Sequence, residues 1–281
     1  MHLSVIIMKI VFLRKALVYR REICHFSPMK IASWNVNSIK ARHEHVLRWI
    51  DSIKPDILFI QELKGIEENF PKSDFGDRGY HLAINAQKTY NGVAIASKYP
   101  INVLSDSILD GDDQARFLEV EIENIRMMNC YMPNGNPVDS EKYPYKINWS
   151  NSLIKKINLL YKKDISFLIG GDFNIIPTIN DVHDPIKWEG DALFRPESRA
   201  LYRTMHNIGL YDAYRIKHPY ETDCYTFWDY QGGAWPQNKG IRIDHFLLTP
   251  DLADQLKSCD IDREPRGWDK ASDHTPIIIE L

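Results

Sequence analysis

The stretch Phe167–Asn174, "FLIGGDFN", poses the first question about the fold. An apolar run ends in two glycines, and a carboxylate and an amide follow two residues apart. Read alone, it is a turn, because Gly tolerates positive φ and Asp and Asn bond their own backbone. The other reading is a buried strand whose end delivers Asp172 and Asn174 to a site. There the glycines would let backbone approach the site closely, and strand alternation would point both polar side chains the same way.

The rest of the chain favours the second reading, because the pattern recurs. "KIASWNVN" ends at Asn35 and Asn37, and "DILFIQE" at Gln61 and Glu62. "IRMMNCY" ends at Tyr131, before Met-Pro-Asn-Gly. "IRIDHFLLT" carries Asp244, and "SDHTPIIIEL" places Asp273 and His274 just before a closing strand. Each run has strand length and is rich in Ile, Val, Leu, Phe or Tyr. Polar residues that end buried strands gather at one edge of a sheet, where loops carry function.

Three helical patterns lie between the strands, at Ala41–Ile53, Tyr145–Tyr161 and Pro196–Ile208. The third has proline in its first turn. Strands also follow one another directly, as in "YHLAIN", "GVAIAS" and "RFLEVEI", with a hairpin turn at Asn91-Gly92. Runs of strands with interspersed helices predict an α+β fold rather than simple βαβ winding.

Composition excludes several classes. The 281 residues are 44% hydrophobic, enough for a sizeable core, with charges of both signs interspersed. The net charge is −3, so no global basic field points to nucleic acid, and any DNA contact must come from a local patch. Cys24, Cys130, Cys224 and Cys259 are far apart and make no paired metal spacing. A reduced, cytoplasmic protein follows.

Residues 1–28 differ from the rest. "LSVIIMKIVFL" is apolar but too short to span a bilayer, and it lacks the flanks of a signal peptide. We expect residues 1–28 to be a poorly ordered extension, or Met29 to be the functional start, and residues 29–281 to form one domain. Residues 29–281 carry 30 Lys and Arg against 37 Asp and Glu, a net charge of −7.

The strand-end residues together suggest a hard-cation site. Carboxylate and amide oxygens suit Mg²⁺ or Mn²⁺, and no Cys/His cluster competes for zinc. A single His beside carboxylates suits general-base or phosphate-charge work. Metal, carboxylate, His and Tyr are what phosphodiester hydrolysis needs, since its transition state gathers negative charge on phosphoryl and leaving oxygens.

"WNVN", "QELK", "YMPNG", "GGDFNIIP", "GIRIDHFL" and "SDHTPI" occur in this order between Met29 and Leu281. Together they resemble the exonuclease III family of apurinic/apyrimidinic endonucleases, in the endonuclease/exonuclease/phosphatase superfamily. The resemblance implies a four-layer α/β sandwich of two facing, mostly antiparallel sheets flanked by helices. It implies Glu62 as the main Mg²⁺ ligand, with Asn35 and Asp273 nearby in the metal shell. Asp172 would orient or deprotonate the attacking water, serve the leaving group, and count among the metal ligands. Asn174, a ligand in some accounts, would hold the water or a phosphate oxygen. Tyr131 would contact the phosphate or leaving oxygen. His274, oriented by Asp244, would act as base, phosphate-binding imidazole or further ligand.

The branch is set by Tyr131 in "YMPNG" and by the aromatic "YTFWDY" at Tyr225–Tyr230. The latter resembles the family loop that receives a flipped-out abasic sugar. Phe227, Trp228 and Ile241 are the expected pocket walls, and Asn134 an amide facing DNA. Arg42, Arg116 and Lys146 are candidate phosphate grips. The implied partner is double-stranded DNA with abasic sites or 3′ ends, bound by a monomer without a membrane. A phosphatase acting on a small or lipid phosphate, and an inactive DNA-binding adaptor, stay open as alternatives.

Overall fold

The computed structural model describes residues 28–281. The expectation for residues 1–28 therefore lies outside the described residues, Pro28 apart. The chain first forms β1 (Lys30–Asn35), α1 (His43–Ile53), β2 (Ile57–Gln61), α2 (Lys72–Asp77), β3 (His81–Asn85) and β4 (Val93–Ser97). It continues through β5 (Asn102–Ser105), β6 (Phe117–Ile122), β7 (Ile125–Tyr131), α3 (Lys142–Lys162) and β8 (Phe167–Asp172). Then come α4 (Pro196–Ile208), β9 (Tyr211–Asp212), α5 (Ala213–Lys217), β10 (Asp244–Leu248), α6 (Pro250–Ala253), β11 (Ser258–Ile261) and β12 (Ile277–Glu280).

These strands make two six-stranded sheets, in the orders β11-β12-β1-β2-β4-β3 and β5-β6-β7-β8-β10-β9. Each is mostly antiparallel but has one parallel pair at its centre, β1–β2 and β7–β8. A parallel pair needs a crossover, and α1 and α3 supply them. The sheets face one another across an apolar layer that includes Ile31, Phe59, Val120, Leu168 and Phe246, with the Phe59 and Phe246 rings 6.0 Å apart. The outer face of the first sheet buries Trp34, Leu58 and Ile60 with Trp49 and Ile50 of α1. The second sheet buries Met128, Phe167 and Ile169 with Trp149 and Leu153 of α3 and Met205 of α4. This is the expected α+β sandwich of two sheets flanked by helices.

Several boundaries differ from expectation, and α1 starts at His43 rather than Ala41. Helix α3 starts three residues before Tyr145, with Pro144 in its first turn, where a missing N–H is tolerated. Asn85 pairs with Val93, so the hairpin loop is longer than a tight turn and Asn91 and Gly92, with φ of 54° and 93°, only close it.

The glycines of "FLIGGDFN" also do something other than expected. A Cβ on Gly170 would lie 2.3 Å from the Phe246 ring and 3.0 Å from that of Phe59. A Cβ on Gly171, at φ 138°, would lie 1.9 Å from the carbonyl oxygen of Cys130 in β7. They admit neighbouring strands and core rings, not the site.

Candidate active site

The sheet topology explains why the strand-end residues meet. In each parallel pair both C-terminal ends lie at the same edge: Asn35 is in register with Gln61, and Tyr131 with Asp172. Antiparallel β10 begins at that edge, with Asp244 opposite Asp172. Strand β12 runs antiparallel to β1, which puts Asp273 and His274, just before it, at the same edge. Glu62, Tyr131, Asp172, Asn174, Asp273 and His274 line one cleft of about 330 Å³.

The contacts are specific. Asp172 Oδ2 accepts from Asn35 Nδ2 at 3.0 Å, and its Oδ1 accepts from the Asn174 N–H at 2.9 Å. The second bond is the Asp-x-Asn turn, so "GGDFN" is both a strand end and a turn. Asn174, at φ 48°, donates its amide to Met132 O at 2.9 Å and accepts from Asn134 Nδ2 at 3.0 Å. His274 Nδ1 lies 2.8 Å from Asp244 Oδ2, and Nε2 lies 3.7 Å from Asp172 Oδ2. The Phe227 ring sits edge-on to the imidazole, 5.0 Å away. The Tyr131 hydroxyl donates to Glu62 Oε1, while Lys64 Nζ sits 2.8 Å from Glu62 Oε2. Asp273 Oδ1 accepts from Asn37 Nδ2 at 3.0 Å.

Electrostatics follow from burial and charge. Burial works against the His274 cation, but Asp244 and then Asp172 outweigh it and raise the imidazole from 6.5 to about 10. Burial pushes Asp172 up to about 7, despite the nearby imidazolium. Burial and then the Glu62 charge raise the Tyr131 phenol well above its usual range. For Glu62, burial would raise the carboxyl, but Lys64 and the Tyr131 hydroxyl hold it below its ordinary value.

The donors suit a hard cation. Asp172, Asp244 and His274 have ligand atoms within 4.8 Å of one another, although Asp244 Oδ2 and His274 Nδ1 are already bonded together. Glu62 and Asp273 also line the cleft and offer carboxylate oxygens, and the Lys64 ammonium already marks a place where Glu62 holds positive charge. Among the described residues, no cysteine lines the cleft. Oxygen donors of this kind fit Mg²⁺ or Mn²⁺ better than a soft metal.

Several expected positions need correction. Asn35 does not line the cleft; its Nδ2 serves Asp172 and its Oδ1 accepts from the Asn37 N–H at 3.0 Å, so it supports Asp172. Trp228 is fully buried, edge-on to Trp235 at 4.8 Å, with its N–H on Asn238 Oδ1 at 3.2 Å. Alternation after Phe227, which bridges to Ile241 and His274, turns Trp228 the other way. It is a core residue rather than a wall. Ile243 lines the cleft instead, and Ile241 lines an adjoining cavity of about 250 Å³ with Phe227 and Trp188. The period-2 step from Ile241 would have found Ile243. Trp188, Asp191 and Leu193 were also missed; they lie on an irregular segment that has no periodic signal.

The three candidate phosphate grips are already engaged. Arg42 donates to Asn37 O at 2.7 Å and Ala271 O at 3.2 Å. Arg116 bonds Gln114 Oε1 at 2.8 Å and stacks on the Tyr131 ring at 4.8 Å. Lys146 is fully buried behind the cleft, and burial pulls its ammonium down to about 7.

Comparison with known proteins agrees with this geometry. The sequence profile of the Endonuclease/Exonuclease/phosphatase family matches residues 32–274. Exodeoxyribonuclease III of Haemophilus influenzae is 31% identical over 266 residues, 90% of this chain and 100% of that one. The AP endonuclease of Archaeoglobus fulgidus superposes with a TM-score of 0.85 at 37% identity, covering 89% of this chain and 98% of that one. The 3′-5′ exonuclease NExo of Neisseria meningitidis gives 0.86 at 35% identity, over 90% and 99%. The shared sandwich, the matched span and the cleft at one edge of both sheets lead to one conclusion: the chain belongs to the endonuclease/exonuclease/phosphatase family, in its branch of exodeoxyribonuclease III and the apurinic/apyrimidinic endonucleases.

Proposed function

We propose that this protein is a Mg²⁺-dependent DNA-repair phosphodiesterase that cuts duplex DNA 5′ to abasic sites and trims 3′ ends. The observation that carries the reading is the convergence of Glu62, Tyr131, Asp172, Asn174 and His274 on one cleft, with Asp244 behind the histidine. Several relatives are named for these activities, among them the exodeoxyribonuclease III and AP endonuclease above and a 3′ phosphatase, NExo from Neisseria, bound to product DNA hairpin.

In this reading Asp172, held by Asn35 and by the Asn174 N–H, takes the proton of the attacking water. A carboxyl raised to about 7 by burial is matched to that task near neutral pH. The water oxygen attacks phosphorus as the bond from phosphorus to the 3′ oxygen breaks, and the Asp172 carboxyl returns the proton to that oxygen, which leaves as a hydroxyl. Asn174 and Asn134 present their amides to the water or to a phosphate oxygen. The imidazolium of His274, kept charged by Asp244, neutralises charge gathering on the phosphoryl oxygens. The Tyr131 hydroxyl, held by Glu62, reaches the same group. Glu62 and Asp273 would hold the magnesium ion, which when bound supplies charge neutralisation at the phosphoryl and leaving oxygens.

The apolar walls, Phe227, Ile241 and Ile243, suit an extruded sugar without a base. Extrusion costs least where no base must be unstacked. We place the enzyme in the cytoplasm, because Cys130, Cys224 and Cys259 are free and buried, as a reducing compartment leaves them. Among the described residues no helix is long and apolar enough to cross a membrane.

The test compares an abasic duplex with inositol phosphates as substrates. Turnover of the duplex alone is expected. Turnover confined to inositol phosphates would move the protein to the phosphatase branch.

A further inference from the structure

Lys146 has no part in the chemistry above, and its position asks for one. It lies in the second turn of α3 with no exposed surface. Burying an ammonium is unfavourable unless strong acceptors meet it, and an apolar side chain of similar length would fill the space without that cost. The acceptors here are two main-chain carbonyls: Asn134 O at 3.0 Å and Asn174 O at 2.5 Å. Their residues stand on different loops, one after β7 and one after β8. The side-chain amides of the same two residues meet in the cleft, Asn134 Nδ2 on Asn174 Oδ1 at 3.0 Å. The backbones are thus tied from behind by one cation and the side chains are tied in front by one hydrogen bond.

The loop geometry is fitted to the lysine. Gly135 has φ 92°, and a Cβ there would lie 2.8 Å from Lys146 Cδ. Only glycine lets the loop lie on the lysine stem. Asn174 holds a left-handed backbone at φ 48°, directly after the strand that presents Asp172. Its carbonyl accepts the shorter of the two lysine bonds, so the ammonium grips the strained residue.

We infer that Lys146 is a positioning residue for the reaction: its buried amino group, donating to both carbonyls, clamps the backbones of Asn134 and Asn174, so that their amides meet the phosphate as one rigid wall. The inference rests on the phosphodiesterase reading of the cleft. Lys146 has no exposed surface and acts through the two asparagines. Loss of the clamp leaves both amides present but loosely aimed, which lowers kcat more than it raises KM.

The experiment uses the full chain and an end-labelled abasic duplex, with kcat and KM measured separately and folding checked by thermal melt. Lys146→Met is expected to lower kcat by roughly 10–100-fold, the loss typical of removing a supporting partner, with KM little changed. Combined with the pair Asn134→Ala and Asn174→Ala, it should add almost nothing to the loss from that pair alone, because the lysine works through those two residues. Gly135→Ala keeps the ammonium but lifts the loop from it, and carries the same test if Lys146→Met does not fold. Its kcat loss should likewise vanish in the background that lacks both asparagine amides. Wild-type kcat in a folded variant overturns the inference, as does a loss confined to KM or losses that multiply in that combined background. These outcomes leave the functional reading standing, provided the wild-type protein cuts the duplex. A wild-type protein that leaves the duplex intact brings down both.

Discussion

Replacing Asp244 by Asn probes how the site handles charge. The Asp244 carboxylate bonds His274 Nδ1 at 2.8 Å, and its other oxygen is buried without a partner, so its charge is directed at the imidazole. At about 1.4 kcal/mol per pH unit, the rise of His274 from 6.5 to about 10 amounts to about 5 kcal/mol in favour of the imidazolium. Asp244 is the largest contributor to that rise, and without it burial pulls the imidazole back toward or below its ordinary value. An imidazolium facing the phosphoryl group is worth about what one oxyanion donor is worth. His274→Ala should therefore cost roughly 3–4 kcal/mol of transition-state stabilisation, and Asp244→Asn somewhat less. The two act as a unit, so the double mutant should be little worse than His274→Ala. The assay is single-turnover cleavage of an abasic duplex between pH 6 and pH 10, beside a binding measurement on uncleaved DNA. Activity that needs the imidazolium falls on the alkaline side, near pH 10 in the wild type and at much lower pH in Asp244→Asn. The gap between the two should narrow as pH falls toward 6. The pair has a matching effect on stability. Its folded-state pKa is raised, so its contribution is complete below about pH 6.5 and fades as pH rises through about 10. Multiplicative losses in the double mutant, or a His274→Ala protein that turns over normally but binds DNA poorly, would refute the reasoning.

Other parts of the fold can be tested in the same way. Arg242 is fully buried between Asp181 at 2.7 Å and Asp212 at 2.9 Å; Arg242→Met leaves Asp212 without its buried cation and Asp181 with Arg215 alone, and should cost about 3–5 kcal/mol in a denaturant titration. For both carboxyls burial is outweighed by the Arg242 charge, which holds them below their ordinary value of 3.8. Their contribution is present above that pH and lost as pH falls below it; an acid-unfolding profile unchanged in Arg242→Met would contradict this. Gly171→Ala should destabilise by about 3 kcal/mol, because its Cβ would meet the Cys130 carbonyl at 1.9 Å; an unshifted melting curve would show that the strands can part freely there. A chain that begins at Met29 should keep the wild-type cleavage rate, since the first strand starts at Lys30 and a full-length relative is matched by 90% of this chain. Insolubility or lost activity of that chain would give residues 1–28 a structural role.

The site was legible because its side chains interrupt apolar runs. Asn35, Glu62, Tyr131, Asp172 and Asp244 stand where hydrophobic strands stop or start, and parallel pairing then brings their ends to one edge. The fold class was legible for a related reason: consecutive strands and a few strong helical stripes leave little choice but two sheets covered by helices. What stayed hidden depends on contacts between distant segments. Lys146 looked like a candidate phosphate grip, and only the approach of the loops after β7 and β8 gives it two carbonyls to bond instead. Trp228 looked like a cleft aromatic because nothing local shows that Phe227 takes that face and leaves its neighbour to Trp235. The glycines at 170 and 171 could be read only as permissive. Which neighbour needs the space, the Phe246 ring or the Cys130 carbonyl, is a fact of sheet packing. Trp188 and Leu193 come from a stretch shaped by its contacts rather than by any period.

The central claim is that the oxygens at this strand edge serve metal-assisted hydrolysis of an abasic strand, and one measurement addresses it directly. A duplex with a single abasic site, labelled at one end, is incubated with the protein in Mg²⁺ or in excess EDTA, and the product ends are mapped. The account predicts one cut immediately 5′ to the lesion, leaving a 3′ hydroxyl, abolished by EDTA and restored by Mg²⁺ or Mn²⁺. Full cleavage in excess chelator, or a cut on the 3′ side of the lesion, would contradict it.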